Sequence, residues 1–495
     1  MTSRAPLSRA AFLPCVLLWA LAGCPGKEES NDAAVPLPFP GQEIRIAVPA
    51  GRGFSAVWEG PLREWSAQTG ATAQLVELPA DADRDAAAIF SGESSPALAI
   101  FPLQQAGALV GSRSVAPIPE ALRAGSDGGL NCGDLFAGLR EKLGSKTGDM
   151  LLPIASPVLV CYYRDDLLRA ARFSPPQTWD DYQRLLEKLG DWAPGLSAVE
   201  PWGDDFRATM FLARAVPFAQ HPGHYSLFFD IETGRPLIDG PGFVRALQIS
   251  RAAVEQMPAD VLTYGPADCR AAILGGRAAL AIAFESPPSQ GGDAGPAEGK
   301  ANTVSRPEAG AIGCIRLPGA REVFNSSRRA WEPVKEKGIN QVALVGFSGL
   351  AAAVSSKCSP VQIEAAWNAL ARLGGRDMVA GFPPGVVGLC RESQLSDPAA
   401  VVGPELNVAE AAAYTQATAE SLRDGRVVVE LPVARRQEFR QSLAAALRGA
   451  LEGTKSAEAA LHQAAATWQR LGEEIGPEKL RDQYRVALGL SPLAR

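Results

Sequence analysis

Strands and helices alternate near the start of the chain. The apolar stretches 43–48, 74–78 and 97–101 predict buried strands, and residues 57–69 and 83–90 predict the helices between them. Strands that alternate with helices form a layered α/β domain with a mostly parallel sheet. Ligands of such sheets collect at the carboxyl ends of the strands. This alternation therefore sets both the fold class, α/β, and the edge where a site is expected.

The first residues are typical of an export signal. Arg4 and Arg9 precede an apolar run over residues 10–22. Since a helix that spans a bilayer needs about 20 apolar residues, this run is too short to be one. It has the charge and length of a secretory signal peptide that is removed after export.

The apolar run ends in the sequence LAGC at residues 21–24, which is similar to the bacterial lipobox. In that motif a peptidase cuts before the cysteine, whose thiol receives a diacylglyceryl group. Two or three acyl chains anchor a protein stably where one does not. We predict a signal peptide over 1–23, a lipid at Cys24 and a polar, proline-rich tether over 24–41. The alternative is a plain cleaved signal with an incidental cysteine.

Composition limits the classes that remain. The chain has 495 residues, so the part beyond the tether can form two or three domains or one two-lobed body. The net charge of −6 provides no basic patch and argues against nucleic acid as a partner. Six cysteines beyond Cys24 permit disulfides whose pairing the sequence does not choose, and buried thiols are the alternative. They are Cys132, Cys161, Cys269, Cys314, Cys358 and Cys390.

Several later segments have clear boundaries. Residues 151–163 predict an irregular strand that passes between two lobes. Thr178 and Ser359 are predicted N-caps, each followed by a helix with an apolar face. Residues 286–309, rich in proline, glycine and charge, predict an exposed excursion, and the C-terminal part beyond residue 436 is predicted to be helical.

Catalytic and metal motifs are weak. His221 and His224 have zinc-like spacing, but the Pro-Gly between them indicates a turn, so we predict no metal. The sequence GFSG at 346–349 is one residue short of a nucleophile elbow and lacks an evident base. Residues 51–56 approach a dinucleotide fingerprint, but extra residues precede the first glycine and the pattern is common by chance. We predict no cofactor and no enzymatic activity.

A series of short blocks resembles the family 1 extracellular solute-binding proteins of ABC importers, which are maltose-binding-protein-like. Each block is weak alone, but their order spans nearly the whole mature chain. The blocks are Leu152-Pro153 followed by residues 161–168 (CYYRDDLL), residues 175–181 (PPQTWDD), residues 275–280 (GGRAAL), residues 363–367 (IEAAW) and residues 451–461 (LEGTKSAEAAL).

The resemblance implies a two-lobed, type II periplasmic-binding-protein-like fold with hinge strands between the lobes and a helical C-terminal part. Lobe 1 is predicted over 42–152 plus 312–373, and lobe 2 over 153–311 plus 374–495. The implied function is capture of a small solute, a carbohydrate, by a lipid-anchored monomer for the membrane subunits of an ABC importer. The implied location is the cell envelope, facing the periplasm or exterior.

The resemblance also implies ligand-binding residues. Glu200-Pro201-Trp202 is similar to a stretch that supplies a carboxylate and a stacking ring to sugars, a combination that suits carbohydrate. The remaining predicted contacts lie in the glycine turn after the first strand, after the third strand, after the GGRAAL block and at the second hinge crossing. They are Arg52, Phe101 with Gln104, Phe284 with Glu285, and Phe347.

Two departures from the family pattern favour an alternative. Ala97 stands where the family has aspartate, and the block after Gly275 lacks the usual tryptophan. A bilobed envelope scaffold or interaction lipoprotein that has lost transport would explain both departures.

Overall fold

The computed structural model describes most of the chain after the predicted tether, and Pro38–Arg495 form one compact unit. The predicted signal peptide, Cys24, Arg52 and the 286–309 excursion lie outside the described residues. The described ranges are 36–51, 53–78, 86–92, 95–106, 109, 114–124, 129–145, 148–149, 151–285, 310–335, 338–373, 388–402, 405–424 and 426–493.

The described strands form two main sheets and three small pairs. They are β1 Glu43–Pro49, β2 Thr72–Leu78, β3 Leu98–Pro102, β4 Gly144–Ser145, β5 Gly148–Asp149, β6 Leu152–Ala155, β7 Val160–Arg164, β8 Ser197–Val199, β9 Ala278–Ala283, β10 Ile312–Arg316, β11 Glu322–Asn325, β12 Ala330–Pro333, β13 Ala343–Val345, β14 Leu350–Val354 and β15 Val427–Val429.

The described helices surround these sheets. They are α1 Phe54–Thr69, α2 Ala86–Ile89, α3 Glu120–Arg123, α4 Ala137–Leu143, α5 Asp165–Ala170, α6 Trp179–Glu187, α7 Leu189–Trp192, α8 Arg207–Ala219, α9 Pro241–Val254, α10 Pro266–Leu274, α11 Pro360–Leu373, α12 Pro398–Val401, α13 Val408–Arg423, α14 Arg436–Leu451, α15 Ala457–Ile475 and α16 Pro477–Ala487. Short 3-10 turns include Leu103–Gln105.

The first sheet has the order β2-β1-β3-β14-β6. Strand β1 pairs in parallel with β2 and β3, whereas β14 is antiparallel to both β3 and β6. The α/β alternation at the start of the chain is confirmed. Because β14 comes from much later in the sequence, the first sheet depends on a return of the chain.

The second sheet has the order β10-β7-β9-β8, with β8 parallel to β9 and the other pairs antiparallel. Its side chains alternate between two hydrophobic cores. Tyr162 and Cys314 pack into the first core, whereas Cys161, Tyr163 and Leu280 pack into the second. Since both faces are covered, the sheet is a shared wall rather than a half-exposed layer.

The predicted helix caps are confirmed. Thr178 Oγ1 accepts a hydrogen bond from Asp181 N–H, and the Asp181 carboxylate accepts one from Thr178 N–H, which completes a capping box at α6. Ser359 and Gln362 form the same reciprocal pair at α11. Helix α1 begins earlier than predicted, at Phe54, because Gly53 adopts φ 74° and ends the preceding turn.

Residues 151–163 form two strands, β6 and β7, rather than one irregular strand, because the chain changes sheets between them. Residues 156–159 connect the first sheet to the second, residues 346–349 connect β13 to β14 of the first sheet, and Glu430 connects β15 to Leu431 of the second core. We call them the crossing segments. They give the molecule the two-lobed form that the resemblance implied.

Strand pairing adds detail near the predicted lobe boundaries. Strand β10, predicted for lobe 1, pairs with β7 of the second sheet, and helix α13, predicted for lobe 2, packs on β10 and against the first core. The division at those residue numbers stays a prediction.

The thiols of Cys161, Cys269, Cys314 and Cys390 are buried and form no disulfide. Burial raises the pKa of Cys390 to about 12, and it raises the pKa of the other three as well. These four cysteines therefore match the buried-thiol alternative. Among the described helices, none combines the length and the apolar character needed to cross a membrane.

Candidate functional site

The crossing segments bring distant parts of the chain together beside the carboxyl end of β3. Leu103 N donates to Gly349 O over 2.9 Å, which holds the turn after β3 against the segment 346–349. A Cβ at Gly346 would lie 3.1 Å from Gln104 Cγ, so this backbone runs directly beside the glutamine. Gly346 has φ 110°, a conformation that favours glycine. Gln104 and Phe347 are therefore neighbours, as expected of two residues of one site.

Three phenylalanines meet at the same place. The Phe347 ring centroid lies 5.3 Å from that of Phe284 and 5.5 Å from that of Phe206, and Phe206 and Phe284 are 5.8 Å apart. We call these residues the Phe cluster. Two members were predicted, and the structure confirms only that they are close. No sequence pattern indicated that Phe206, a single aromatic residue one position before α8, would join the other two.

Glu285, directly after Phe284, is held in a network of its own. Its carboxylate accepts from Tyr162 Oη over 2.9 Å and from Arg270 Nε over 2.9 Å, while its backbone N–H donates to Tyr414 Oη over 3.2 Å. Arg270 also reaches Glu405 at 2.9 Å. Burial, and next the charge on Glu285, raises the pKa of Tyr162 well above its usual value. The tyrosine therefore stays protonated and remains a donor.

Glu200 and Trp202 lie within the second lobe with no exposed surface. Trp202 Nε1 donates to Glu200 Oε2 over 2.9 Å, and Arg214 Nη2 donates to Glu200 Oε1 over 2.6 Å. The Arg214 guanidinium lies 4.2 Å from the ring centroid of Trp179 and 5.6 Å from that of Trp202. The Trp202 ring and the Glu200 carboxylate therefore interact with other groups of the second core in this conformation. Their contact with a ligand stays a prediction.

Phe101 and Arg52 complete the predicted set. Phe101 is 1% exposed and pairs with Ala351 inside the first core, so its ring packs there while the next turn reaches the crossing segments. Arg52 lies outside the described residues. The structure therefore brings together Gln104, Phe284, Glu285 and Phe347, and it separates Glu200 and Trp202 from open surface.

Three buried polar atoms at or beside the crossing segments have no hydrogen-bond partner among the described residues. They are Gln104 Oε1, Gln105 Oε1 and Ser156 Oγ. A buried polar atom without a partner costs about 1–3 kcal/mol. By contrast, the nearby Glu430 is held by Thr209 at 2.7 Å and by Arg440 at 3.5 Å. Unused hydrogen-bonding capacity is thus present where the two lobes meet.

The two histidines near the end of α8 contact the β11–β12 hairpin. His221 Nε2 lies 3.2 Å from Glu332 Oε2, and the two ring nitrogens of His224 lie 3.2 Å from the hydroxyls of Ser326 and Ser327. The imidazole centroids are 4.6 Å apart. Over the described part of the chain, no group of three histidine, cysteine or acidic residues is arranged to hold a metal ion.

Comparisons with known proteins bear on the fold. No protein-family model and no curated protein sequence matches the chain. Among solved structures, it is similar to the sugar-binding protein MalE of Xanthomonas citri, with TM-score 0.61 and 14% identity over 88% of this chain and 98% of that one. It is also similar to maltose-bound MalE3 of T. maritima, with TM-score 0.57 and 18% identity over 87% and 99% of the two chains.

A third similar structure is an ABC transporter solute-binding protein of Agrobacterium radiobacter K84 in complex with ribitol. Its TM-score is 0.57, with 20% identity over 88% of this chain and 100% of that chain. Structural similarity at these levels of sequence identity shows that the fold is shared.

We predict that Trp202→Ala lowers the free energy of unfolding by about 3–5 kcal/mol, because it removes a fully buried indole from the second core. Urea unfolding measures the loss. Trp331→Ala, at a half-buried position, serves as the control and should cost less than half as much. Equal losses in the two variants would contradict the burial of Trp202.

We predict that stability falls as the pH drops from 7 to 5.5, in part because of His224. Burial, and next the charge of His221, lowers the pKa of His224 from its ordinary value of 6.5. The unfolded chain therefore takes up this proton first, and folding is penalised as the pH falls through that value. Glu332 acts in a lower window, since its lowered pKa adds stability that is lost below about its ordinary value of 4.5.

Urea unfolding at several pH values tests the contribution of His224. His224→Asn should flatten the pH dependence between 7 and 5.5. His462→Asn, at a side chain that is 82% exposed, is the control for the removal of one imidazole. An unchanged slope in the first variant would rule His224 out as the cause.

Proposed function

We propose that the chain is an exported, lipid-anchored solute-binding protein that captures a carbohydrate or polyol between its two lobes for an ABC importer. The proposal assigns binding and no chemistry. Its main support is the set of unpartnered polar atoms of Gln104, Gln105 and Ser156 at the place where the lobes meet. A hydroxylated ligand would supply the missing donors.

The Phe cluster supports the same ligand class. An aromatic ring packs against the C–H face of a sugar, while amide and hydroxyl groups bond its hydroxyls. Gly346, next to Phe347 in the chain, lies against Gln104, and Phe347 packs on Phe284. The side chains of Gln104, Phe284 and Phe347 are buried in this conformation, so a ligand would reach them once the lobes open. The structures of similar fold include complexes with maltose and with ribitol, which agrees with this chemistry.

The crossing segments also support a binding cycle. Because residues 156–159 link β6 of the first sheet to β7 of the second, and residues 346–349 link β13 to β14, rotation at these links would open and close the space between the lobes. A ligand that contacts both lobes favours the closed form, and that form is the one a permease would accept. The tethered chain would then deliver solute at the membrane surface.

The proposed anchor rests on the LAGC sequence at residues 21–24. We predict that the full-length precursor, made in a bacterial host, incorporates labelled palmitate and partitions with membranes. Cys24→Ala should lose both properties, because the acyl chains are attached at this thiol. Cys15→Ala, within the apolar run, is the matched control and should keep the label; label retained by the Cys24 variant would refute the anchor.

Binding is tested with the mature chain lacking the anchor, using thermal unfolding and calorimetry across sugars, oligosaccharides and polyols. A ligand at about 100 times its Kd should stabilise the fold by about 2.7 kcal/mol. A flat response across the panel would favour the bilobed scaffold that has lost transport.

Once a ligand is found, we predict that Gln104→Leu weakens its binding about tenfold or more, since the variant removes an amide whose Oε1 has no hydrogen-bond partner among the described residues. Stability of the free protein should stay equal or rise, because the unpartnered atom is gone. Gln256→Leu, in the exposed turn after α9, is the control and should not affect binding. Unchanged affinity in Gln104→Leu would exclude this glutamine from the site.

A further inference from the structure

A cavity of about 800 Å³ opens on the second lobe, away from the crossing segments. It lies between the start of α9, the middle of α15 and the turn of the β11–β12 hairpin. None of the described residues of the crossing segments or the Phe cluster lines it. Its volume falls within the range of about 300–1,000 Å³ that is usual for small-molecule sites. The cavity is therefore large enough for a ligand of its own.

The floor of this cavity is apolar. Leu237, Phe243, Phe324 and Ala465 contribute carbon surface to it. Phe243 and Ala465 belong to the second core, which fixes the floor on two packed helices. Apolar area that a ligand removes from water here contributes roughly 25 cal/mol per Å².

The rim has two arginines that form no ion pair with any described residue. Arg235 follows the turn after Asp230, and Arg329 lies in the hairpin turn with φ 51°. Asn325 Oδ1 accepts from the backbone N–H groups of Ser327 and Arg328, which holds that turn. The adjacent Arg328, by contrast, is bound to Glu332 at 3.1 Å. Two guanidinium groups thus remain available at the rim.

One carboxylate shares the cavity wall. Asp239 lies 3.4 Å from Nδ1 of His462, so it already has a partner on α15. With two arginines against this one acid among the described lining residues, the formal charge of the lining is positive. Arg235 also interacts with the charge of Asp230, which lies outside the lining. An anionic group is the complement of such a rim, and charge-assisted bonds from arginine to carboxylate are among the stronger polar contacts.

We propose that this cavity is a second ligand site, which takes a small organic anion with an apolar body, such as an aliphatic carboxylate. The carboxylate lies against Arg235 and Arg329, and the hydrocarbon lies on the apolar floor. The site goes beyond the proposed solute capture, since its walls belong to the second lobe alone.

Calorimetry and saturation-transfer NMR with octanoate test the site in the folded mature chain. Saturable binding with a Kd below about 1 mM is expected. The double variant Arg235→Gln/Arg329→Gln should weaken it about tenfold or more, because the anion loses both cations. Octanol, which keeps the chain and lacks the charge, should bind at least about tenfold more weakly than octanoate.

Two further variants make the test specific. Ala466→Trp fills the cavity from the exposed side of α15 and should abolish octanoate binding, with circular dichroism and thermal unfolding confirming the fold. Arg470→Gln, on α15 but outside the cavity lining, is the matched control and should bind octanoate as the wild type does. Sugar binding between the lobes should be unchanged in all of these variants, so the two sites succeed or fail separately.

Absence of saturable octanoate binding would overturn the proposal. So would equal affinity in the double arginine variant, or equal affinity for octanol.

Discussion

The second sheet is buried on both faces, and the two-lobed architecture depends on this. Successive residues of β7 point into different cores: Cys161 and Tyr163 into one, Tyr162 into the other. Because side chains alternate with a period of two, a shift of one residue in this strand would exchange every contact between the cores. The register of β7 against β9 and β10 therefore fixes how both cores are filled.

Polar groups in the molecule divide into two kinds. Glu200 and Arg214 are fully buried, paired at 2.6 Å and enclosed by aromatic rings, so they maintain the second core. Gln104, Gln105 and Ser156 are nearly as buried but lack partners within the described chain. A buried pair that loses one member is strongly destabilised, whereas an unpartnered amide gains from any suitable ligand. Arg214 Nε and Nη1 also lack hydrogen-bond partners among the described residues, so a missing partner alone does not mark a binding residue.

Local signals in the sequence predicted local structure well. The caps at Thr178 and Ser359 were identified because a capping box needs only residues three apart. The alternation of strands and helices gave the fold class, and the order of family-like blocks gave the two lobes. Element ends shifted by up to a few residues, as at α1, where the glycine conformation decides the start.

The site was less predictable, since burial is a tertiary property. Trp202 was predicted to stack on a ligand because of its residue type. In the structure, Arg214 of α8 faces the Trp202 ring and donates to the Glu200 carboxylate, and no local sequence pattern indicates these contacts. Phe206 belongs to the Phe cluster through contacts with Phe284 and Phe347, which lie far along the chain. Gln104 was predicted because it follows the third strand, and Phe347 because of the family resemblance at the second hinge crossing; the structure places both beside the crossing segments, and their contact with a ligand stays a prediction.

The first core draws on residues from Phe39 to Val427, so nearly the whole polypeptide must be present before it can close. Strand β14 has to insert between β3 and β6, and α13 has to cover the face that Tyr162 presents. A chain threaded N-terminus first through a membrane pore would hold this core incomplete until its final segments emerged. Because contacts between residues so far apart in sequence form slowly, this core would close late in folding.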